Sequence, residues 1–432
     1  MIRAAENRPI RVGLIGAGKF GSMFLSQVPN SKGLHVSVIA DIDVEGAKQR
    51  CLDIGWTQER IEATRFSEDV FSILGEGELD VVVEATGNPV VGIAHANAAI
   101  DAGLHVVMVN VEADVLAGTQ LARKAKSAGI VYSMAYGDQP ALICEQVEWA
   151  RACGFNVVAA GKGTKYLSSY HGSTPDTVWK HYGLNSEQAA NAGMNSKMFN
   201  SFLDGTKSSL EMAAVANSTN LTPAPGGLSF PPAGVDDLPD VLRPKNEGGC
   251  LNHKGQVEVV SSLNRDGSSV YRDLRWGVYV VLEATNDYTA SCFQEYGMNT
   301  DESGRYSAMY KPFHLIGLEV NISIISAALK NKPTGSNKKF VGDVIATAKR
   351  NLKAGEVLDG EGGFTIYGTL MSSAKSLQIK GLPIGLSENI KLKAPIPKGE
   401  FICWRHVETD KNSIAFRLRS EMERVFTPKE AL

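Results

Sequence analysis

Gly161-Lys162-Gly163-Thr164-Lys165-Tyr166 places two amines among glycines directly after the apolar run 157–160. Ammonium groups at the end of such a strand can meet a phosphate or a developing alkoxide, although a solvated loop would read the same way. A third amine, Lys207, precedes Glu211 by one helical turn in a segment that opens with Asp204-Gly205-Thr206. On a surface such an i, i+4 pair adds roughly 0.2 to 0.5 kcal/mol. The flanking residues are almost all apolar or small, so this face is expected to be buried, where paired charges need a chemical reason. Lys207 would then act as a general acid or electrostatic stabiliser with Glu211 as its partner. His314 and Glu319 stand in another apolar setting, either as satisfied core groups or as proton carriers. Glu112 and Asp114, two positions apart after Asn110, either hold Mg²⁺ against substrate oxygens or satisfy the amides of a helix N-terminus. Gly137-Asp138-Gln139-Pro140 reads as a capping turn.

These groups need a scaffold, and its first piece is the run 11–15 that breaks into Gly16-Ala17-Gly18-Lys19-Phe20-Gly21. It reads as strand, tight turn and helix. Gly16 permits the turn, Gly18 lets the backbone approach a pyrophosphate, and Gly21 lets the helix pack on the strand, with Lys19 and Phe20 opening the helix. The next apolar run, 34–40, ends at Asp41. A carboxylate there can accept from the adenosine ribose hydroxyls and would repel the extra phosphate of NADP, which favours NAD; the same residue could cap the following helix. Two further strands end in polar groups, Thr86-Gly87 after 80–85 and Asn110 after 105–109, where open parallel sheets bind ligands.

Alternating strands and helices up to about residue 158 predict an α/β doubly wound parallel sheet, with helices at 21–27, 89–102, 117–127 and 141–152. Beyond it the chain mixes a helix-like stretch (200–217), Gly/Pro-rich loops and strand-like runs at 256–262 and 275–283. A polar segment, 331–339, reads as a linker, and the remainder as a small strand-rich unit. The expected domains are a dinucleotide-binding Rossmann domain over 1–159, an α+β catalytic and assembly domain over 160–335, and a β-rich domain over 336–432. A length of 432 residues fits several domains. A net charge of −3 without a basic run gives no electrostatic footprint for nucleic acid or an anionic membrane. No signal-peptide core or spanning stretch is visible, so a cytoplasmic location is expected. Six cysteines without a Cys-x-x-Cys pair read as free thiols.

With these residues in hand, the first two-thirds of the chain resembles the homoserine dehydrogenase superfamily through its glycine turn, Glu84-Ala85-Thr86-Gly87 and Val106-Val107-Met108-Val109-Asn110. Nearly the whole chain is similar to the reductoisomerase-like branch, the type II 1-deoxy-D-xylulose 5-phosphate reductoisomerases. That resemblance rests on residues 110–114, Gly161-Lys162-Gly163, Asp204-Gly205 with Lys207 and Glu211–Ala214, Asn217, Thr219, and the His314 to Val320 block. It implies an NAD(P)-dependent oxidoreductase acting on a small polyhydroxylated, phosphorylated carbonyl compound, a Mg²⁺ ion, a C-terminal SAF-like domain, and a homodimer or homotetramer. Two departures stand out. Homoserine dehydrogenases follow the strand with Asn-Lys, whereas Val111 follows Asn110; and where the branch carries basic residues for NADPH, this chain has Asp41. The remaining alternatives are a plain sugar, hydroxy-acid or homoserine-type dehydrogenase and a non-catalytic nucleotide-binding sensor.

Overall fold

The computed structural model describes residues 2–427 apart from 192 and 410. Where the sequence suggests three consecutive domains, the chain divides into two compact units: one of residues 1–142, 314–338 and 412–422, the other of 143–313, 339–411 and 423–432.

The first unit is built on a parallel sheet of β1 (Ile10–Ile15), β2 (Leu34–Ala40), β3 (Arg65–Ser67), β4 (Val81–Glu84), β5 (His105–Met108) and β6 (Tyr132–Met134). Their order is β3-β2-β1-β4-β5-β6. This is the doubly wound arrangement, and its order reverses between β1 and β4, where a ligand crevice opens at the carboxyl ends. Strands covered on both faces must be apolar throughout, and Val12, Leu14, Val81, Val83, Val106 and Val107 are all fully buried. Helix α1 (Lys19–Gln27) follows the glycine turn, α2 (Val44–Asp53) follows β2, and α3 (Pro89–Asp101) follows β4, with the Asn88 side chain capping the first amides of α3. The helix expected from residue 117 starts as a π-turn at Asp114–Gly118 and continues as Thr119–Ser127. Segment 331–339 contains the passage from the first unit to the second, at 338/339, and its earlier part is tied down. Gly335 accepts from the Met134 amide at 2.8 Å and Thr334 donates to Ser133 at 2.9 Å, so this stretch satisfies the open edge of β6.

In the second unit, β7 (Asn156–Thr164), β8 (Gln256–Ser261), β9 (Val278–Glu283) and β10 (Tyr306–Lys311) form a mixed sheet in the order β10-β9-β7-β8. Gly163 is required by close approach: a Cβ there would lie 1.9 Å from the Leu274 carbonyl oxygen. The helical stretch expected over 200–217 is two helices, α4 (Ser196–Leu203) and α5 (Thr206–Thr219), broken where Gly205 takes φ +88°. Nearly every side chain of α5 is buried, and it packs on the strand pair of β11 (Gly342–Ala348) with β13 (Ile366–Ser372). A smaller ribbon pairs β12 (Val357–Asp359) with β14 (Glu388–Lys391). The strand-rich C-terminal part thus shares a core with the middle of the chain, and α5, built of small, apolar and hydrogen-bonding residues, is covered on nearly every side.

Candidate active site

At the crevice of the first unit, Gly16 has φ +91°, and a Cβ on it would sit 2.7 Å from the Ala85 carbonyl oxygen. A Cβ on Gly21 would fall 2.6 Å from the Gly16 carbonyl oxygen, so helix and turn touch. Above Gly18, by contrast, a Cβ meets nothing within 4 Å, and no side chain caps the start of α1. Open space over uncapped helical amides is what a pyrophosphate needs. Asp41 Oδ2 accepts from the Ala17 amide at 2.7 Å, and Arg50 on α2 reaches both partners, its Nε donating to the Ala17 carbonyl at 2.8 Å and its Nη2 lying 3.6 Å from Asp41. A groove of about 550 Å³ adjoins, lined by Ile42, Asp43, Glu45, Phe66, Glu68 and Asp69 among others. The chain therefore carries a cradle that fits a dinucleotide, with Arg50 paired to Asp41 and Asp43 at the ribose position and further carboxylates lining the groove beyond.

Glu84 was visible as an acid closing an otherwise apolar strand, and its role is structural support for Thr86. Wholly buried, it accepts from Thr86 Oγ1 at 2.5 Å and lies 3.5 Å from His95 Nδ1 on α3. Thr86 and Gly87 are exposed beside it. Asn110 is 2% exposed and its Oδ1 accepts from the Ala113 amide at 3.0 Å, so this side chain caps the turn Val111–Ala113.

Of the two acids expected to hold Mg²⁺, Glu112 is half-buried and Asp114 is buried. Asp114 is 2% exposed and its Oδ1 accepts from the Tyr132 hydroxyl at 2.9 Å. Among the described residues no three His, Cys, Asp or Glu side chains converge. Burial pushes the Asp114 carboxyl up to about 6 from 3.8, against the hydrogen bonds of Tyr132 and Asn337. The unfolded chain therefore releases this proton first as pH rises through 4 to 6, and native stability falls across that window, by about 3 kcal/mol at pH 7. Asp114→Asn is expected to abolish that slope and to be the more stable protein at pH 7 in urea melts run from pH 4 to 7.

In the second unit, Lys162 on β7 and Glu211 on α5 form a buried ion pair, with side chains 7% and 3% exposed. Glu211, expected to partner Lys207 on its own helix, is held by a lysine from the facing strand, because α5 turns it towards β7. Lys207 lies one turn earlier on α5, half-buried. Lys165, just past β7, donates to the His181 carbonyl, and its ammonium is pulled below its usual range by burial and by Arg275. His314 and Glu319 belong to the first unit, where Glu319 accepts weakly from the Leu315 amide at 3.4 Å; both are half-buried rather than core residues.

Sequence reading missed a second buried pair. Lys349 lies 2.8 Å from Asp204 and donates to the carbonyls of Ser173 at 2.8 Å and Gly363 at 2.7 Å. It also missed His171, whose Nδ1 donates to the Asp204 carbonyl at 2.7 Å and whose Nε2 accepts from Tyr166 at 2.9 Å. Burial keeps this imidazole neutral by lowering its pKa. Nothing local marks either residue, since their partners come from distant segments.

Residues 137–320 match the family model of the catalytic domain of oxidoreductase DRL, and residues 16–134 match that of the homoserine dehydrogenase NAD binding domain. The chain is an NAD(P)-binding oxidoreductase. No curated protein matches it. Among solved structures, this oxidoreductase is similar to an NAD binding oxidoreductase from Klebsiella pneumoniae (21% identity, 38% of this chain and 45% of that one, TM-score 0.30). It is also similar to KijD10, a 3-ketoreductase from Actinomadura kijaniata in complex with NADP (18% identity, 36% and 49%, TM-score 0.27). A third is myo-inositol dehydrogenase from Lactobacillus casei in complex with NAD(H) and myo-inositol (18% identity, 40% and 50%, TM-score 0.29). The oxidoreductase spans half or less of the length of each of these structures.

Proposed function

We propose that this oxidoreductase prefers NAD(H) and acts on a small polyhydroxylated, phosphorylated carbonyl compound, rearranging its carbon skeleton before reduction as the reductoisomerase-like branch does. The observation that carries the reading is the buried Lys162–Glu211 pair. An ammonium sheltered from water and oriented by a carboxylate stabilises a developing alkoxide far better than a solvated one, and can hand it a proton. Lys207, on the same helix as Glu211, adds a second amine of the same kind, and Lys165 holds anionic oxygen. The bound nicotinamide supplies or accepts the hydride. Gly16, Gly18 and Gly21 would hold its pyrophosphate and Asp41 its ribose.

Cofactor preference is supported by Asp41 and the acidic groove behind it. Asp41→Ala is expected to raise the NADPH:NADH ratio of kcat/KM at least about tenfold, roughly 1.4 kcal/mol of discrimination, while weakening NADH through loss of the Ala17 contact. Initial rates with both cofactors check this; an unchanged ratio would remove Asp41 from specificity.

The function is tested by following NADH and NADPH oxidation with 1-deoxy-D-xylulose 5-phosphate and a panel of branched and unbranched ketose and tetrose phosphates, with and without Mg²⁺. Turnover of a branched or rearranging sugar phosphate supports the proposal. Turnover restricted to unphosphorylated sugars or hydroxy acids would make the protein a plain dehydrogenase, and none at all would favour a sensor.

A further inference from the structure

We infer that Lys165, Arg275 and Tyr182 form a subsite for a phosphate monoester dianion. This rests on reading the second unit as the substrate-binding half, and it names the group that half would grip. Lys165 Nζ lies 5.7 Å and Arg275 Cζ 5.8 Å from the centroid of the same Tyr182 ring, so two cations share one aromatic platform. Arg275 also stacks 4.7 Å over Trp276. Both cations are half-buried and neither stands on a slack loop. Lys165 directly follows β7, Arg275 shortly precedes β9, and between them the Gly163 amide donates to the Gly277 carbonyl at 3.1 Å. Tyr182 closes the short helix Val178–Tyr182, whose His181 carbonyl accepts from Lys165.

Like charges held together while partly desolvated repel each other, and something must repay that cost. Within the protein only the ring faces and one carbonyl offset it, and no carboxylate among the described residues does. The nearby acid Asp273 is exposed and accepts from the Arg275 backbone amide, at 2.7 Å. Among the described residues no acceptor takes a hydrogen bond from the Arg275 guanidinium, and Lys165 spends one of its three N–H bonds on a neutral carbonyl. A planar guanidinium stacked on aromatic rings with its N–H fork unspent is preorganised for the oxygens of a phosphate, and a neighbouring ammonium matches the second negative charge. Burial raises the Tyr182 hydroxyl to about 12, so at neutral pH it is a neutral donor that adds no competing charge.

The test is calorimetric titration of the full chain with inorganic phosphate at fixed ionic strength, without cofactor. Wild type is expected to bind, Lys165→Met and Arg275→Ala each to weaken binding at least about tenfold, and Arg275→Lys to recover part of it. Arg272→Ala is expected to bind as wild type does, because Arg272 is an exposed cation already paired with Asp236. Saturating NAD⁺ should leave phosphate affinity unchanged; competition would put the phosphate in the glycine turn and overturn the subsite. Failure of wild type to bind phosphate, or undiminished binding by Arg275→Ala, would overturn it too. If phosphate binding behaves as expected yet no sugar phosphate is turned over, the subsite stands and the proposed reaction falls.

Discussion

Lys162→Met is expected to lower turnover roughly a thousandfold, the range in which an electrostatic stabiliser or general acid is lost. The same change leaves Glu211 as a buried carboxylate without its cation, which costs about 3 to 5 kcal/mol and could by itself explain a dead enzyme. The double variant Lys162→Met/Glu211→Leu separates the two effects. Replacing both members of a buried pair with apolar groups of similar size is often neutral or stabilising, so the melting temperature should return to the wild-type value or above. Turnover should not return. If the double variant regains activity along with stability, the pair holds the fold and the chemistry lies elsewhere in the second unit.

The Lys349–Asp204 pair is expected to behave in the opposite way, with a large effect on stability. Its ammonium has three hydrogens and three acceptors: Asp204, the Ser173 carbonyl and the Gly363 carbonyl. Lys349→Met strips all three and strands a buried carboxylate, for a loss of about 3 to 5 kcal/mol in urea unfolding. Burial already raises the Asp204 carboxyl above its usual range despite Lys349. Removing the lysine raises it further, so the native state then takes up a proton that the unfolded chain releases, and stability falls as pH rises. The gap between variant and wild type should therefore narrow on acidification below neutrality. A gap independent of pH would mean that the lost carbonyl contacts, not the stranded charge, account for the destabilisation.

His171 was illegible in the sequence for the reason that Lys349 was. Each is one polar residue whose partners arrive from other segments of the chain, and no periodicity announces that meeting. Asp114 shows a different limit: nothing in two acids of a first helical turn foretells that one of them is buried whole under the Tyr132 hydroxyl, which comes from a neighbouring strand. The polar segment 331–339 does carry the chain from one unit to the other, but composition could not show that Thr334 and Gly335 on the way are fixed by the unpaired edge of β6.

By itself the sequence determined the Rossmann half: apolar runs of strand length, a glycine turn, and a carboxylate at the end of the second strand are adjacent in the chain and follow from local sterics. The tertiary structure alone decided the charge pairing of the second unit. Helix α5 is apolar or small around most of its circumference, so the i, i+4 spacing of Lys207 and Glu211 could not say which face would meet β7. That choice, and with it the partner of Glu211, is made by which surfaces bury one another over long sequence separations.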